Sequence, residues 1–222
     1  DISGQDAAQK TSILATLSFF QNSSMENVYF EGIDKISPDD IDYGKQLNFV
    51  LKPLSVGMQN KDQITLGSFP AFVKTDSLLA SIQNENNAVL VNAENVGGTM
   101  YSGPGAGAKP TANSVLSDVI DIARGKIFDY GKFVEQNLSS SFDNFSCDRY
   151  LKLQVNDKPG VVAKISTLLA KNNLSIDNLI QKELERSDDQ IPLVMVLSNS
   201  DETTIQDTCL LYTSDAADDS RS

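Results

Sequence analysis

A change of sequence pattern after Asp148 constrains the fold of this 222-residue chain more than any other feature. Five elements are predicted there in the order strand, helix, strand, strand and the start of a helix. They are expected at Tyr150–Val155, Val161–Lys171, Ser175–Glu183, Ile191–Ser198 and from Ser200 onward. Asn156–Gly160 is expected to form the turn that opens onto the first helix, with Pro159 at the first helical position, which proline suits. The pattern therefore predicts a small domain of its own.

That order of elements is the order of a ferredoxin-like sheet without its last strand. The region before it mixes helical and strand-like patterns. Helices are expected at Asp6–Phe20, Ser37–Gln46, Ser77–Gln83 and Pro110–Arg124, and strands at Asn48–Val56, Gln63–Val73, Ala88–Asn92 and Gly97–Tyr101. The chain as a whole is thus predicted to be α+β, with a mixed-sheet domain followed by a truncated βαββα domain.

Four segments are predicted along the chain: a first domain at residues 1–127, a linker at 128–147, a second domain at 148–208 and a tail at 209–222. The linker is rich in Ser, Asn and Asp and has little periodicity. The tail segment Cys209–Asp218 reads like the translation of a widely used transposase sequencing adapter. We therefore expect the natural sequence to end near Thr208. The alternative is that Leu210 and Leu211 continue the last helix.

The charge and the absence of histidine exclude several classes of function. A formal charge of −12 argues against nucleic acid or an anionic membrane as a partner, since both require a basic surface. With no histidine, the chain cannot contain a Ser-His-Asp or Cys-His triad or a His-ligated zinc site. Acid–base chemistry must then come from Lys, Asp, Glu or Tyr. No metal site is expected, because Cys147 and Cys209 stand far apart. No apolar run is long enough to span a membrane, and a cytoplasmic protein is expected.

Asp6 and Lys10 are the first candidates for chemistry. Four residues apart on a helix, they face the same way, and by spacing alone a surface ion pair is the simpler interpretation. The pair also continues an apolar stripe through Ile13, Leu17 and Phe20, which favours a position against packed protein. Asp1 precedes the helix and could converge on the same place. Two carboxylates and a lysine could bind an ammonium group and deliver a proton.

Three glycines form a second candidate site. Gly103, Gly105 and Gly107 stand in a turn that leads into the long helix predicted from Pro110. Such a turn lets backbone amides approach an anion or a ring closely, although a plain tight turn is the better interpretation of the spacing alone. The strand followed by GxGxxG that marks a dinucleotide-binding domain does not occur in this sequence.

The first ten residues, Asp-Ile-Ser-Gly-Gln-Asp-Ala-Ala-Gln-Lys, resemble the stretch Asp-x-x-Gly-x-Asp-Ala/Val-x-x-Lys of homoserine dehydrogenases. Glu31-Gly32-Ile33 is similar to a Glu-Gly-Ile segment of the same family and is interpreted as forming the fold. Asn95–Gly107, with Pro110–Ala112 and Asp118, gives the longest match. The resemblance implies that the N-terminal coenzyme domain of such an enzyme is absent from this chain.

The resemblance also implies roles for individual residues. Lys10 would donate the proton to the substrate carbonyl, or would orient the substrate while a second lysine of the family acts. Asp6 would contact both homoserine and the lysine, and Asp1 would be a further substrate-binding carboxylate. Gly103, Gly105 and Gly107 would be secondary contacts to an NAD(P) coenzyme. The implied reaction interconverts L-homoserine and L-aspartate 4-semialdehyde, in a homodimer or higher homo-oligomer. The chain alone is expected to be inactive.

The segment Val155-Asn-Asp-Lys-Pro-Gly-Val-Val162 resembles the opening of an ACT domain. In that family, paired domains bind an amino acid near this turn. The resemblance implies Asn156 and Asp157 as effector-binding residues, with L-threonine as the expected effector. The alternative is a non-catalytic amino-acid-binding regulatory protein. Such a protein would have no need for the Asp6–Lys10 pair or for the glycine turn.

Overall fold

The computed structural model describes residues 2–60, 63–126, 142, 145–181 and 190–209. Asp1, most of the predicted linker and the tail beyond Cys209 lie outside the described residues. The helices are α1 Gln5–Phe19, α2 Pro38–Gln46, α3 Ala108–Ala123, α4 Val161–Lys171 and α5 at residues 202–209. The strands are β1 Tyr29–Phe30, β2 Phe49–Asn60, β3 Gln63–Lys74, β4 Asn86–Ala93, β5 Gly97–Pro104, β6 Cys147–Asn156, β7 Ile176–Gln181 and β8 Gln190–Ser200. The predicted α+β arrangement is confirmed.

The chain divides into two compact units, each assembled from three segments. The first comprises Asp1–Glu26, Phe30–Ser55 and Ser68–Asn137, and the second comprises Asn27–Tyr29, Val56–Gly67 and Leu138–Ser222. Each unit is therefore built from segments that are not consecutive in the chain. The predicted segment boundaries at residues 127, 147 and 208 stay predictions.

The start of α2 shows why local sequence could predict it. Ser37 stands before Pro38 at the helix start, and its hydroxyl accepts a hydrogen bond from the Asp40 amide at 3.4 Å. In return the buried Asp40 carboxylate accepts hydrogen bonds from the Ser37 amide at 2.9 Å and from the Ser37 hydroxyl at 2.6 Å. This reciprocal capping satisfies amide groups that a helix start would otherwise leave unpaired. The predicted helix is confirmed.

The sheets that accompany α1 and α2 are a three-stranded sheet in the order β1-β3-β2 and a two-stranded sheet of β4 and β5. The second is an antiparallel hairpin in which Val89 pairs with Tyr101 and Asn87 with Gly103. The predicted short helix at Ser77–Gln83 is a single 3-10 turn, Leu78–Ser81. No residue of α3 is buried within the described part of the chain.

In the second unit, the sheet has the order β6-β8-β7, and all three strands are antiparallel to their neighbours. β8 is central, and its Leu193, Met195 and Leu197 are fully buried. Ile165 and Leu169 of α4 pack into the same apolar core. This is the predicted strand, helix, strand, strand, helix order. Burial of alternate apolar residues on one sheet face under a helix stabilises the unit.

The predicted helix Val161–Lys171 is confirmed as α4, but Pro159 does not take its first position. The helix begins at Val161, and Gly160 precedes it in a left-handed conformation with φ +93°. The glycine, which tolerates positive φ, makes the sharp entry into the helix. The proline stands in the turn before it.

Among the described residues, no helix is both long and apolar enough to span a membrane.

Candidate functional site

Asp6 and Lys10 form the ion pair that their spacing predicts. The Lys10 Nζ donates a hydrogen bond to the Asp6 Oδ2 at 2.7 Å, one turn along α1. This hydrogen bond, more than any other interaction, lowers the pKa of the Asp6 carboxyl below its ordinary value. The carboxylate is therefore ionised at neutral pH, and the pair is lost only as the pH falls through that lowered pKa.

The predicted burial of the stripe that contains this pair is wrong for the described part of the chain. The side chains of Lys10 and Asp6 are 68% and 46% exposed. Ile13, Leu17 and Phe20, which continue the stripe, are also exposed. The face of α1 that is buried carries small residues instead. They are Ala8, Thr11, Ser12 and Ala15.

The reason for this error is physical. Small side chains let the helix approach its own unit closely, so the small face of α1 packs inside the chain and the large apolar face is left outside. An exposed group of large apolar residues is typical of a surface that contacts another protein, a membrane or a ligand. The ion pair lies on that same surface. Periodicity identified the apolar stripe of α1, but it does not show whether the rest of the chain buries that stripe.

The loop before α1 is held by the segment Glu31–Ile33. The Ile33 amide donates a hydrogen bond to the Ile2 carbonyl at 2.9 Å, and Gly4, with φ +81°, is the N-terminal cap of α1. Gly32 makes a close backbone contact that the sequence did not reveal, because a Cβ there would collide with the Ile2 carbonyl oxygen. A glycine in Glu31-Gly32-Ile33 was the available signal, but a sequence does not show which backbone approaches it. Asp1, predicted to bind substrate, lies outside the described residues.

The structure places Gly103 in the last residues of β5, Gly105 in the connection that follows, and Gly107 at the start of α3. Gly103 pairs with Asn87 in the hairpin, and no atom lies within 4 Å of the position that a Cβ on Gly103 would take. The Gly105 amide donates to the Glu85 carbonyl at 2.8 Å, and a Cβ on Gly105 would collide with the Asn87 side chain. Gly107, with φ +118°, caps the start of α3. The predicted turn thus begins later than expected: the strand extends through Gly103 to Pro104, and only Gly105 and Gly107 lie in the connection to α3.

Asn156 and Asp157 lie together at the end of β6, in the turn that leads to α4. Both are exposed, and the Asn156 carbonyl accepts a hydrogen bond from the Lys158 amide at 2.9 Å. No atom lies within 4 Å of the position of a Cβ on Gly160. The turn therefore presents a carboxylate, an amide side chain and an open backbone on one edge of the sheet. Those groups suit the ammonium and carboxylate of an amino acid.

Burial raises the pKa of both cysteine thiols. Desolvation is the largest cause at Cys147 and at Cys209. Because the thiolate is the reactive form of cysteine, a raised pKa keeps both groups in the unreactive form at neutral pH. Neither cysteine has the environment of a catalytic nucleophile.

Comparison with known proteins gives two family matches along the chain. The sequence model described as Homoserine dehydrogenase matches residues 1–120, and that of the ACT domain matches residues 149–207. The first match covers more than half of the chain and includes Asp6, Lys10 and the glycine turn. The second includes Asn156 and Asp157.

Individual relatives carry the same name. The homoserine dehydrogenase of Helicobacter pylori is 38% identical, over 84% of this chain and 45% of its own length. That of Pseudomonas aeruginosa is 34% identical, over 93% of this chain and 50% of its own length. The crystal structure of a homoserine dehydrogenase from Thiobacillus denitrificans aligns with a TM-score of 0.85 and 28% identity, over 96% of this chain and 50% of that one. The chain therefore spans about half the length of the relatives it matches.

Proposed function

Because the chain belongs to the homoserine dehydrogenase family, we propose that it carries the substrate-binding part of an enzyme that interconverts L-homoserine and L-aspartate 4-semialdehyde. The observation that carries the proposal is the Asp6–Lys10 ion pair, at 2.7 Å, in the stretch that resembles the substrate motif of the family. The pair stands on an exposed face of α1, where a substrate and a further domain can reach it.

The chemistry of the pair fits the proposed reaction. When L-aspartate 4-semialdehyde is reduced, negative charge develops on its carbonyl oxygen. An ammonium group beside that oxygen stabilises the charge and supplies the proton, and Lys10 is the proposed donor. Asp6 holds the Lys10 Nζ in place and, being ionised at neutral pH, attracts the ammonium group of the substrate. Asp1 is proposed as a second carboxylate of the same pocket.

The family uses a nicotinamide coenzyme, and the glycine turn fits a secondary contact with it. A flat ring can approach a glycine backbone closely, and the open space beside Gly103 allows such an approach. Gly105 and Gly107 shape the turn around that opening. When bound, the oxidised coenzyme would accept a hydride from L-homoserine, and the reduced coenzyme would donate a hydride to L-aspartate 4-semialdehyde. The main binding site is proposed to belong to a domain outside this chain, because no strand followed by GxGxxG occurs in the sequence.

The ACT match supports a regulatory role for the second unit. We propose that its turn at Asn156 and Asp157 binds an amino acid, with L-threonine as the ligand. A homodimer or higher homo-oligomer in the cytoplasm is proposed for the whole enzyme.

The proposed activity is tested by joining this chain to the half of the Pseudomonas aeruginosa enzyme that it does not match. The joined enzyme is expected to form NADH or NADPH only when L-homoserine is present. The chain by itself is expected to show no such activity, because it lacks the dinucleotide fingerprint. Absence of homoserine-dependent turnover in a folded, coenzyme-binding joined enzyme would contradict the proposed function.

Threonine binding is tested by isothermal calorimetry on this chain. Replacing Asp157 with alanine is expected to weaken the affinity about tenfold, because it removes one charge-assisted hydrogen bond worth about 1.4 kcal/mol. Asp207→Ala, which removes an exposed carboxylate from α5 instead, is the matched control and is expected to change nothing. Equal affinities of the wild-type chain and the Asp157 variant would exclude this carboxylate from the effector site.

A further inference from the structure

Two backbone segments, each containing a glycine, approach closely where the chain enters α1. A Cβ added to Gly4 would lie 2.8 Å from the Glu31 carbonyl oxygen and 3.1 Å from its carbon. A Cβ added to Gly32 would collide with the Ile2 carbonyl oxygen and would lie 2.9 Å from the carbonyl carbon of Ser3. Each glycine thus leaves room for the backbone of the other segment. We refer to residues 2–4 and 31–33 together as the glycine contact.

A Cβ on Gly32 would also lie 2.7 Å from the Asp34 Oδ1, which a change of side-chain rotamer could relieve. The other neighbours in the glycine contact are backbone atoms, so no change of rotamer can relieve the clash with Ile2. The hydrogen bond from the Ile33 amide to the Ile2 carbonyl, at 2.9 Å, depends on the same close approach. A methyl group on Gly32 would therefore have to move the Ile2–Gly4 backbone itself. The least space is available at Gly32, where the added atom would meet Ile2 directly.

The glycine contact connects strand β3 with the first turn of α1, which carries the ion pair. On one side the Glu31 amide donates a hydrogen bond to the Ser68 carbonyl of β3, at 2.9 Å. On the other side the Ala8 amide donates to the Gly4 carbonyl, at 3.0 Å, which begins α1. Asp6 stands two residues after Gly4, in the first turn of the helix. A shift of the glycine contact is transmitted to Asp6 and, through the 2.7 Å hydrogen bond, to Lys10.

We propose that Gly32 is a positioning residue for the substrate site: its lack of a side chain sets where the Ile2–Gly4 loop, and with it Asp6 and Lys10, stands relative to β3. This inference rests on the proposed function. Gly32 does not touch the reacting groups and acts through the backbone of the neighbouring segment. Reactions that depend on an oriented substrate lose about 100-fold in rate for a misplacement of about 1 Å.

The test compares Gly32→Ala with Gly44→Ala in the joined enzyme. Gly44 lies on α2, where an added Cβ would collide with the ring of Phe72 and lie 2.8 Å from its Cδ1. The control thus introduces a steric clash in the same unit, away from α1, against a side chain and not against backbone. Steady-state kinetics give kcat, the KM for L-homoserine and the KM for the coenzyme. Thermal unfolding gives the stability of each variant.

Gly32→Ala is expected to lower kcat/KM for L-homoserine about 100-fold, with a raised KM for L-homoserine and an unchanged KM for the coenzyme. Gly44→Ala is expected to lower the Tm and leave both KM values as in the wild type. Gly4→Ala, whose added atom would lie 2.8 Å from the Glu31 carbonyl oxygen and whose φ of +81° disfavours a side chain, should repeat the Gly32 pattern.

Three outcomes would overturn the inference. In the first, Gly32→Ala lowers kcat and leaves the KM for L-homoserine unchanged, as a smaller folded fraction would. In the second, neither Gly32→Ala nor Gly4→Ala folds, which would make the glycine contact a requirement of the fold alone. In the third, the wild-type joined enzyme does not oxidise L-homoserine, which would remove the proposed function as well. Only the third result affects the proposed function.

Discussion

Replacing Lys10 with alanine is expected to lower the kcat of the joined enzyme by about 100-fold to 10,000-fold, the range for loss of a positioned proton donor. Lys10 is the only amine that the described residues place against Asp6, at 2.7 Å. Without it, the developing negative charge on the carbonyl oxygen loses both a stabilising cation and a proton source. The measurement is the steady-state rate of NADPH or NADH oxidation with saturating L-aspartate 4-semialdehyde, the direction in which Lys10 donates its proton.

Lys45→Ala is the matched control for Lys10→Ala. Lys45 also lies on a helix and pairs with a neighbouring carboxylate, Asp42, at 3.0 Å, and its side chain is 68% exposed, as is that of Lys10. A surface ion pair of this kind contributes at most about 1 kcal/mol to stability and nothing to catalysis. Lys45→Ala is expected to retain wild-type kcat. Equal kcat values for the two variants would remove Lys10 from the mechanism.

Replacing Leu193 with alanine is expected to lower the free energy of unfolding of the second unit by about 2 to 5 kcal/mol. Leu193 is 0% exposed in the central strand β8, within the apolar core that α4 covers. The truncation loses the transfer free energy of the side chain and leaves a cavity that rigid neighbours fill only in part. A loss of that size is a large part of the total stability of a small domain, about 5 to 15 kcal/mol.

The measurement is urea unfolding of this chain, followed by circular dichroism. Leu179→Ala is the control, because it removes the same atoms from β7 at a position that is 41% exposed. A loss below about 1 kcal/mol is expected there, in line with the smaller apolar area that leaves water. If Leu193→Ala and Leu179→Ala lower the unfolding free energy equally, the assignment of β8 as the centre of the core is wrong.

Elements with local signals were predictable from the sequence. Ser37, Pro38 and Asp40 specify the start of α2 through hydrogen bonds that involve only neighbouring residues. Alternation within Tyr150–Val155 predicted the edge strand β6, which pairs with β8 from Cys147 to Asn156. Such features depend on contacts close in sequence or on one regular period. The same is true of the Asp6–Lys10 pair, whose partners are one helical turn apart.

Features that depend on distant segments were not predictable. The stripe of α1 was expected to be buried, but within this chain the small residues of the opposite face pack and Ile13 and Phe20 are exposed. Periodicity shows that a helix has two faces, not which element covers each. From the sequence, Gly32 was interpreted only as part of the fold. Its contact with Ile2 was not predictable, because it brings together segments about thirty residues apart in sequence. Only the folded backbone shows that contact.

The exposed face of α1 that carries Asp6 and Lys10 is proposed to bind homoserine. A crystal structure of the joined enzyme with L-homoserine and its coenzyme tests this binding site most directly. We expect the ammonium group of the substrate at about 3 Å from the Asp6 carboxylate and its hydroxyl group at about 3 Å from the Lys10 Nζ. Homoserine bound elsewhere, with Asp6 and Lys10 paired to each other and surrounded by water, would contradict the claim.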